Sequence, residues 1–179
     1  MPATDSAAVP VSTVLSGLAP VADRATRILI LGSFPGAASL AAQQYYGHPR
    51  NQFWPLLAAV LDTELAGLPY PQRLRRLLAH GVGLWDVIAS CERAGSLDSA
   101  IRNPRHNDFS VLKRRCPLLT RICFNGKTAG KFEPRLAAAG FQTLVLPSSS
   151  PANAQSSFAE KLVLWRGIID RLDLPPAAC

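Results

Sequence analysis

Four short apolar runs punctuate the chain, each too brief for a helix and each ending in a polar or glycine-bearing turn. The first is Ile28, Leu29, Ile30 and Leu31, between Arg27 and Gly32; the others span 82–87, 121–125 and 143–147. Unbroken hydrophobicity rich in β-branched residues predicts strands buried on both faces, as in a parallel sheet. Between the runs the period changes. Leu74, Leu77 and Leu78 recur at helical spacing while Arg73, Arg75 and Arg76 fall outside it, predicting a helix over 72–80 with a solvated basic face. Pro55 fits only the first turn of a helix, so one is predicted from Asn51 or Gln52 to about Leu61, with Asn51 as its N-cap. A short basic helix is expected over 111–116, another from 127 to about 139, and an amphipathic one from Phe158 to Leu172. The polar stretch 95–109, broken by Pro104, reads as a loop. Strands and helices alternate, which predicts a three-layer α/β/α fold around a central four-stranded parallel sheet.

With 179 residues the chain is expected to form one domain, over 23–174, flanked by a loose tail over 1–22 and a short one over 175–179. Hydrophobic residues make up 48% and charged residues 17%, a globular rather than a disordered balance. The net charge of +7 favours an anionic partner. Cys91, Cys116, Cys123 and Cys179 form no Cys-x-x-Cys pair and have no histidine at zinc-ligand spacing, so no metal or cluster is expected. No apolar run is long enough to span a membrane, and Met1 to Ser6 lacks the features of a signal peptide, so the expectation is a cytoplasmic protein with reduced thiols. Gly126-Lys127-Thr128 does not extend to a phosphate-binding P-loop, since Arg121 stands where that motif needs a glycine.

Ligands of parallel sheets bind beyond the carboxyl ends of the strands. The residues there are Gly32-Ser33-Phe34-Pro35-Gly36, Trp85-Asp86, Asn125-Gly126-Lys127 and Ser148-Ser149-Ser150-Pro151-Ala152-Asn153. Behind the first strand comes a dense segment, Tyr45-Tyr46-Gly47-His48-Pro49-Arg50-Asn51-Gln52-Phe53-Trp54. By themselves Tyr45, Phe53 and Trp54 fit a core, Asp86 a turn cap or a partner of Arg102 or Arg105, His48 a structural hydrogen-bonder, and Asn125-Gly126 a turn.

Taken in order, these segments resemble the uracil-DNA glycosylase superfamily, and most of all its hypoxanthine-DNA (deoxyinosine) glycosylase branch. The mismatch-specific uracil/thymine glycosylases carry a related Gly-x-Asn-Pro-Gly and a later His-Pro-x-Asn-x-Phe-Trp. The late loop, Leu146 to Asn153, is similar to the superfamily's His-Pro-Ser-Pro-Leu-Ser or Asn-Pro-Ser-Gly-Leu-Ser. The resemblance covers most of 27–153. It implies a monofunctional, cofactor-free DNA-deoxyinosine glycosylase of base-excision repair, acting as a monomer on double-stranded DNA with deaminated bases. Such an enzyme flips the nucleotide, hydrolyses its N-glycosidic bond and leaves an abasic site. Ser148 then stands in place of the family's histidine or asparagine, Ser150 in place of its phosphate-binding serine, and Ala152 in place of its intercalating leucine.

Two departures matter. Phe34 replaces the acid or amide that usually positions the attacking water, and phenylalanine is expected instead to stack on the flipped base. Asn51 is expected to take over the water, with Ser148 the second catalytic residue. Asp86 replaces the base-reading asparagine; its oxygens suit the N1–H of hypoxanthine. Tyr46 and Asn125 complete the expected base contacts. Gly36, His48, Arg50, Lys127, Ser149, Ser150, Pro151, Ala152 and Asn153 are the expected DNA contacts. A uracil/mismatch glycosylase of the same fold, or a DNA-binding module that lost catalysis with the change at Phe34, are the alternatives.

Overall fold

The structure is a computed structural model that describes residues 13–170. In chain order its elements are β1 (Val14–Ser16), β2 (Ile28–Gly32), α1 (Ala37–Ala42), α2 (Phe53–Leu61), α3 (Tyr70–Ala79), β3 (Val82–Asp86) and β4 (Ile88–Glu92). There follow β5 (Arg102–His106), α4 (Leu112–Arg115), β6 (Arg121–Asn125), α5 (Lys127–Gly130), α6 (Glu133–Ala138), β7 (Gln142–Leu146) and α7 (Phe158–Trp165). The four apolar runs form one sheet in the order β3-β2-β6-β7, and every pairing within it is parallel.

Alternation within β2 explains why the run is hydrophobic throughout. Ile28 and Ile30 face one layer, with Phe53, Leu56 and Leu57 of α2, Leu77 of α3 and Trp165 of α7. Leu29 and Leu31 face the other, with Leu112 of α4, Ala129 of α5, Leu136 of α6 and Ile88 of β4. All four strand residues are fully buried, and each such side chain contributes about 1.5–3 kcal/mol of burial free energy. The result is the three-layer α/β/α arrangement around a four-stranded parallel sheet.

Several elements differ from the sequence pattern. The stretch 95–109 is not a single loop: it holds β5, which pairs antiparallel with β4, while β1 pairs with β4 on its other side. All five residues of β5 are exposed, so it carries no hydrophobic signal, and Pro104 is tolerated because β5 is an edge strand. The chain passes from β3 into β4 through Val87 alone, so the strand read over 82–87 is followed at once by another, which belongs to the second sheet. Residues expected in the N-terminal tail are engaged too, because β1 joins this second sheet and Val21 bridges to Leu84. The connection after β2 contains α1. The N-cap of α2 is Gln52 rather than Asn51, although the Asn51 side chain still accepts from the Phe53 N–H. The helix expected over 127–139 is two, α5 and α6, with Pro134 in the first turn of the second. The last helix ends at Trp165 and continues as a 3₁₀ turn to Ile168. Residues 1–12 and 171–179, and with them Leu172 and the tail over 175–179, lie outside the described residues.

Candidate active site

The register brings the strand ends level: Gly32 pairs with Asp86, and Asn125 with Leu146. Beyond Gly32 the chain turns sharply. The Ser33 hydroxyl donates to Asp98 at 2.8 Å, and the Arg93 guanidinium lies 5.0 Å over the Phe34 ring and donates to the Pro35 carbonyl. Phe34 is only 6% exposed, and its ring edge lies beside Gly17. Beside Gly36, the Ala37 N–H donates to the Ser96 hydroxyl.

The aromatic segment builds a wall over this edge. Tyr46 takes a left-handed conformation, φ 54°, and its ring stacks on Phe53 with centroids 3.7 Å apart and planes within 10°. Phe53 is fixed in turn by edge contacts with Trp54 and Trp165. The backbone between Tyr46 and Phe53 is tightly held. His48 accepts from the Arg50 N–H through Nδ1 and from the Asn51 N–H through its carbonyl. Asn51 Oδ1 accepts from the Phe53 N–H at 3.0 Å, which leaves its Nδ2 amide as the remaining donor. Arg50 is exposed.

Asp86 is 4% exposed, and its Oδ2 has no hydrogen-bond partner. The Tyr46 hydroxyl is likewise buried, and only the Asn125 amide approaches it, without forming a well-aligned hydrogen bond. These two groups converge over Gly32. A β-carbon there would lie 2.5 Å from Asp86 Oδ1 and 3.2 Å from the tyrosine oxygen, so only glycine leaves room for both. Burial pushes the Asp86 carboxyl up to about 7; Asp98 adds to the rise and Arg93 opposes it. Burial, with the nearby Asp86 charge, also holds the Tyr46 phenol well above its ordinary value. Neither Arg102 nor Arg105 pairs with Asp86. Arg102 donates to the carbonyls of Ser99 and Ile101, while Asn107 donates to the Asp86 carbonyl.

The late loop follows β7 and is stapled to two neighbours. Asn125 donates to the Ser149 hydroxyl at 2.8 Å and accepts from the Ser149 N–H at 2.9 Å. The Ser149 carbonyl accepts from the Gln52 N–H at 3.0 Å. Inside the loop the Ser148 and Ser150 hydroxyls accept from the N–H groups of Ser150 and Ala152, and the Asn153 amide donates to the Ser148 carbonyl. Ser148 packs against Gly126, which has a φ of 98°. Pro151 and Ala152 stand exposed at the tip, and Lys127 is exposed at the start of α5.

The structure thus gathers Asn51, Asp86, Tyr46, Asn125 and Ser148 to Asn153 at one edge of the sheet, with Phe34 tucked beneath. Two surface depressions, one lined by Pro55, Asp62 and Leu65 and one by Phe109, Lys113 and Phe141, include none of them. Arg93, Asp98, Asn107 and Lys161 also shape the edge, and sequence reasoning passed over them. Arg93, Asp98 and Asn107 flank or follow β5, whose exposure hid the second sheet; Lys161 looks like any charged position of an amphipathic helix. Cys91, Cys116 and Cys123 are buried free thiols. Among the described residues no helix is long and apolar enough to cross a membrane.

Comparison with known proteins agrees with this geometry. The model of the family described as "Uracil DNA glycosylase superfamily" matches residues 19–168. A hypoxanthine DNA glycosylase of Methanosarcina barkeri (strain Fusaro) is 45% identical over 145 residues, 81% of this chain and 92% of that protein. One from Methanosarcina acetivorans is 47% identical over 141 residues, 79% of this chain and 89% of that protein. A solution NMR structure of a candidate uracil DNA glycosylase from Methanosarcina acetivorans superposes with a TM-score of 0.78 at 43% identity, covering 87% of this chain and 99% of that one. Because the match runs through every strand of the parallel sheet and every loop at its carboxyl edge, the chain belongs to the uracil DNA glycosylase superfamily.

Proposed function

We propose that this protein is a DNA glycosylase that releases hypoxanthine from deoxyinosine in duplex DNA, and that it works as a cytoplasmic monomer. Two relatives named hypoxanthine DNA glycosylase, at 45% and 47% identity, support the substrate. The observation that carries the reading is the buried Asp86 carboxyl, whose Oδ2 has no hydrogen-bond partner while its Oδ1 lies beside Gly32 near the buried Tyr46 hydroxyl. A buried polar atom left without a partner costs about 1–3 kcal/mol, and a base that supplies the missing partners recovers that cost on binding.

In this reading the flipped purine lies against Tyr46, whose rear face is already backed by Phe53. Base stacking passes from Phe34 to Tyr46, since the phenylalanine ring is buried with Arg93 over it. Asp86 accepts the N1–H of hypoxanthine. With its carboxyl near 7, a fraction is protonated at neutral pH and also donates to O6 as charge gathers on the departing base. Asn51, its Oδ1 fixed by the Phe53 N–H, presents Nδ2 to the water that attacks the sugar. Asn125, both ends engaged with Ser149, holds the late loop rather than reading the base. The Ser148 and Ser150 hydroxyls, each accepting from an N–H inside the loop and so able to donate outward, clamp phosphates beside the lesion, and His48, Arg50 and Lys127 add to that contact. Water is the nucleophile, so the DNA strand is left uncut.

The test uses duplexes carrying a single inosine, uracil or ethenoadenine, followed by alkali to cut abasic sites. Cleavage of the inosine strand only after alkali is expected. No release of hypoxanthine overturns the proposal, and release of uracil alone favours the mismatch/uracil alternative that the solved neighbour's description suggests.

A further inference from the structure

Lys161 is a lysine in an unusual place for a helix packed on a sheet. It lies on α7, is 2% exposed, and no carboxylate lies within ion-pair distance of it among the described residues. Its ammonium donates instead to two neutral oxygens, Gln52 Oε1 and the Asn153 carbonyl, each at 2.9 Å. Burial pulls its pKa down, as expected for a cation withdrawn from water without a counter-charge. A buried charge satisfied only by neutral acceptors is a poor source of stability, because an apolar side chain of the same length fills the space without the desolvation cost.

The two oxygens identify what the charge is used for. Gln52 is the neighbour of Asn51 and caps α2; Asn153 closes the late loop. The same two segments also meet through the Gln52 N–H and the Ser149 carbonyl. Trp165, one turn along α7 from Lys161, donates to the Pro147 carbonyl where the loop leaves β7. Resting on the functional reading above, we propose that Lys161 is a positioning residue, whose buried ammonium clamps the phosphate-binding loop to the segment bearing Asn51 and sets the distance between them. A phosphate seated on the loop also feels this charge from behind, in surroundings where little water screens it.

The experiment is single-turnover excision from an inosine duplex with saturating enzyme, run with duplex affinity, thermal unfolding and amide hydrogen exchange on wild type, Lys161→Met and Gln52→Met. Lys161→Met should lower the maximal excision rate about tenfold or more, in the range that small misplacements reach, while Tm changes little, because the half-buried Gln52 and Asn153 can hand their oxygens to water. Affinity for undamaged duplex should fall less than the rate, since the loop hydroxyls remain. Exchange at the Gln52 amide, which reads the loop contact directly, should accelerate. Gln52→Met should lower the rate in the same direction. A Lys161→Met enzyme within about twofold of the wild-type rate at preserved Tm overturns the proposal. If Lys161→Met does not fold, a Gln52→Met enzyme with the wild-type rate overturns it instead. An unchanged exchange rate at Gln52 overturns it even if the wild type releases no hypoxanthine, an outcome that counts against the substrate and not against the clamp.

Discussion

Burial raises the Asp86 carboxyl to about 7, so the native protein keeps a proton there over a range of pH in which the unfolded chain has already lost it. The native state binds more protons in that window, and stability therefore falls as pH rises from the ordinary carboxylate value to about 7, then levels off. Asp86→Asn has no proton to lose. Measured by thermal unfolding, its Tm relative to wild type should improve between about pH 4 and about pH 8, while hypoxanthine excision should drop about tenfold to a hundredfold for loss of one buried contact. Unchanged excision by Asp86→Asn removes the residue from base recognition. Asn51 allows a cleaner separation. Its Oδ1 holds the Phe53 N–H, a bond that an aspartate in its place would keep and an alanine would not. Asn51→Ala should cut single-turnover excision about a hundredfold and cost about 1 kcal/mol of stability. Asn51→Asp should retain the stability and much of the rate, its second oxygen accepting from the water to which Nδ2 donates in the wild type; a folded Asn51→Ala enzyme with full activity sinks the assignment.

Between residue and molecule stand the loops and strands, and here the late loop is the exposed link. Ser149→Ala leaves a buried Asn125 amide without its acceptor, which costs about 1–3 kcal/mol and should loosen the loop that carries Ser148 and Ser150. The expected outcome is a lower Tm with weakened duplex binding; an unaltered Tm counts against the staple. Elements also explain what the sequence disclosed. The parallel strands were legible because β2, β3 and β6 are buried on both faces, and such strands must be apolar throughout. β5 was not, because an exposed edge strand of arginine, asparagine, proline and histidine, held by backbone pairing with β4 and by the His106–Phe132 ring contact, has no apolar pattern. Asn51 and Asp86 were legible as candidates through neighbouring motif residues. The inward turn of Phe34 was not, since it depends on Arg93 and Gly17, which approach from the second sheet.

Across the whole molecule the net charge of +7 predicts that log K for duplex DNA falls linearly and steeply with log salt, for damaged and undamaged duplexes alike. A titration at increasing salt checks this, and an affinity indifferent to salt speaks against phosphate contact. The topology has a further consequence for how the enzyme comes into being. β2 pairs with β3 and β6, each separated from it by long intervening chain, and β7 joins only through β6. Contacts between such distant segments are slow to form, because the closure entropy comes before the reward. The lysine and tryptophan that secure the late loop lie on α7, after every strand. A chain still leaving the ribosome therefore carries Asn51 long before it carries the helix that secures the late loop. If Lys161 clamps the loop as proposed, excision is expected only once α7 has emerged and docked.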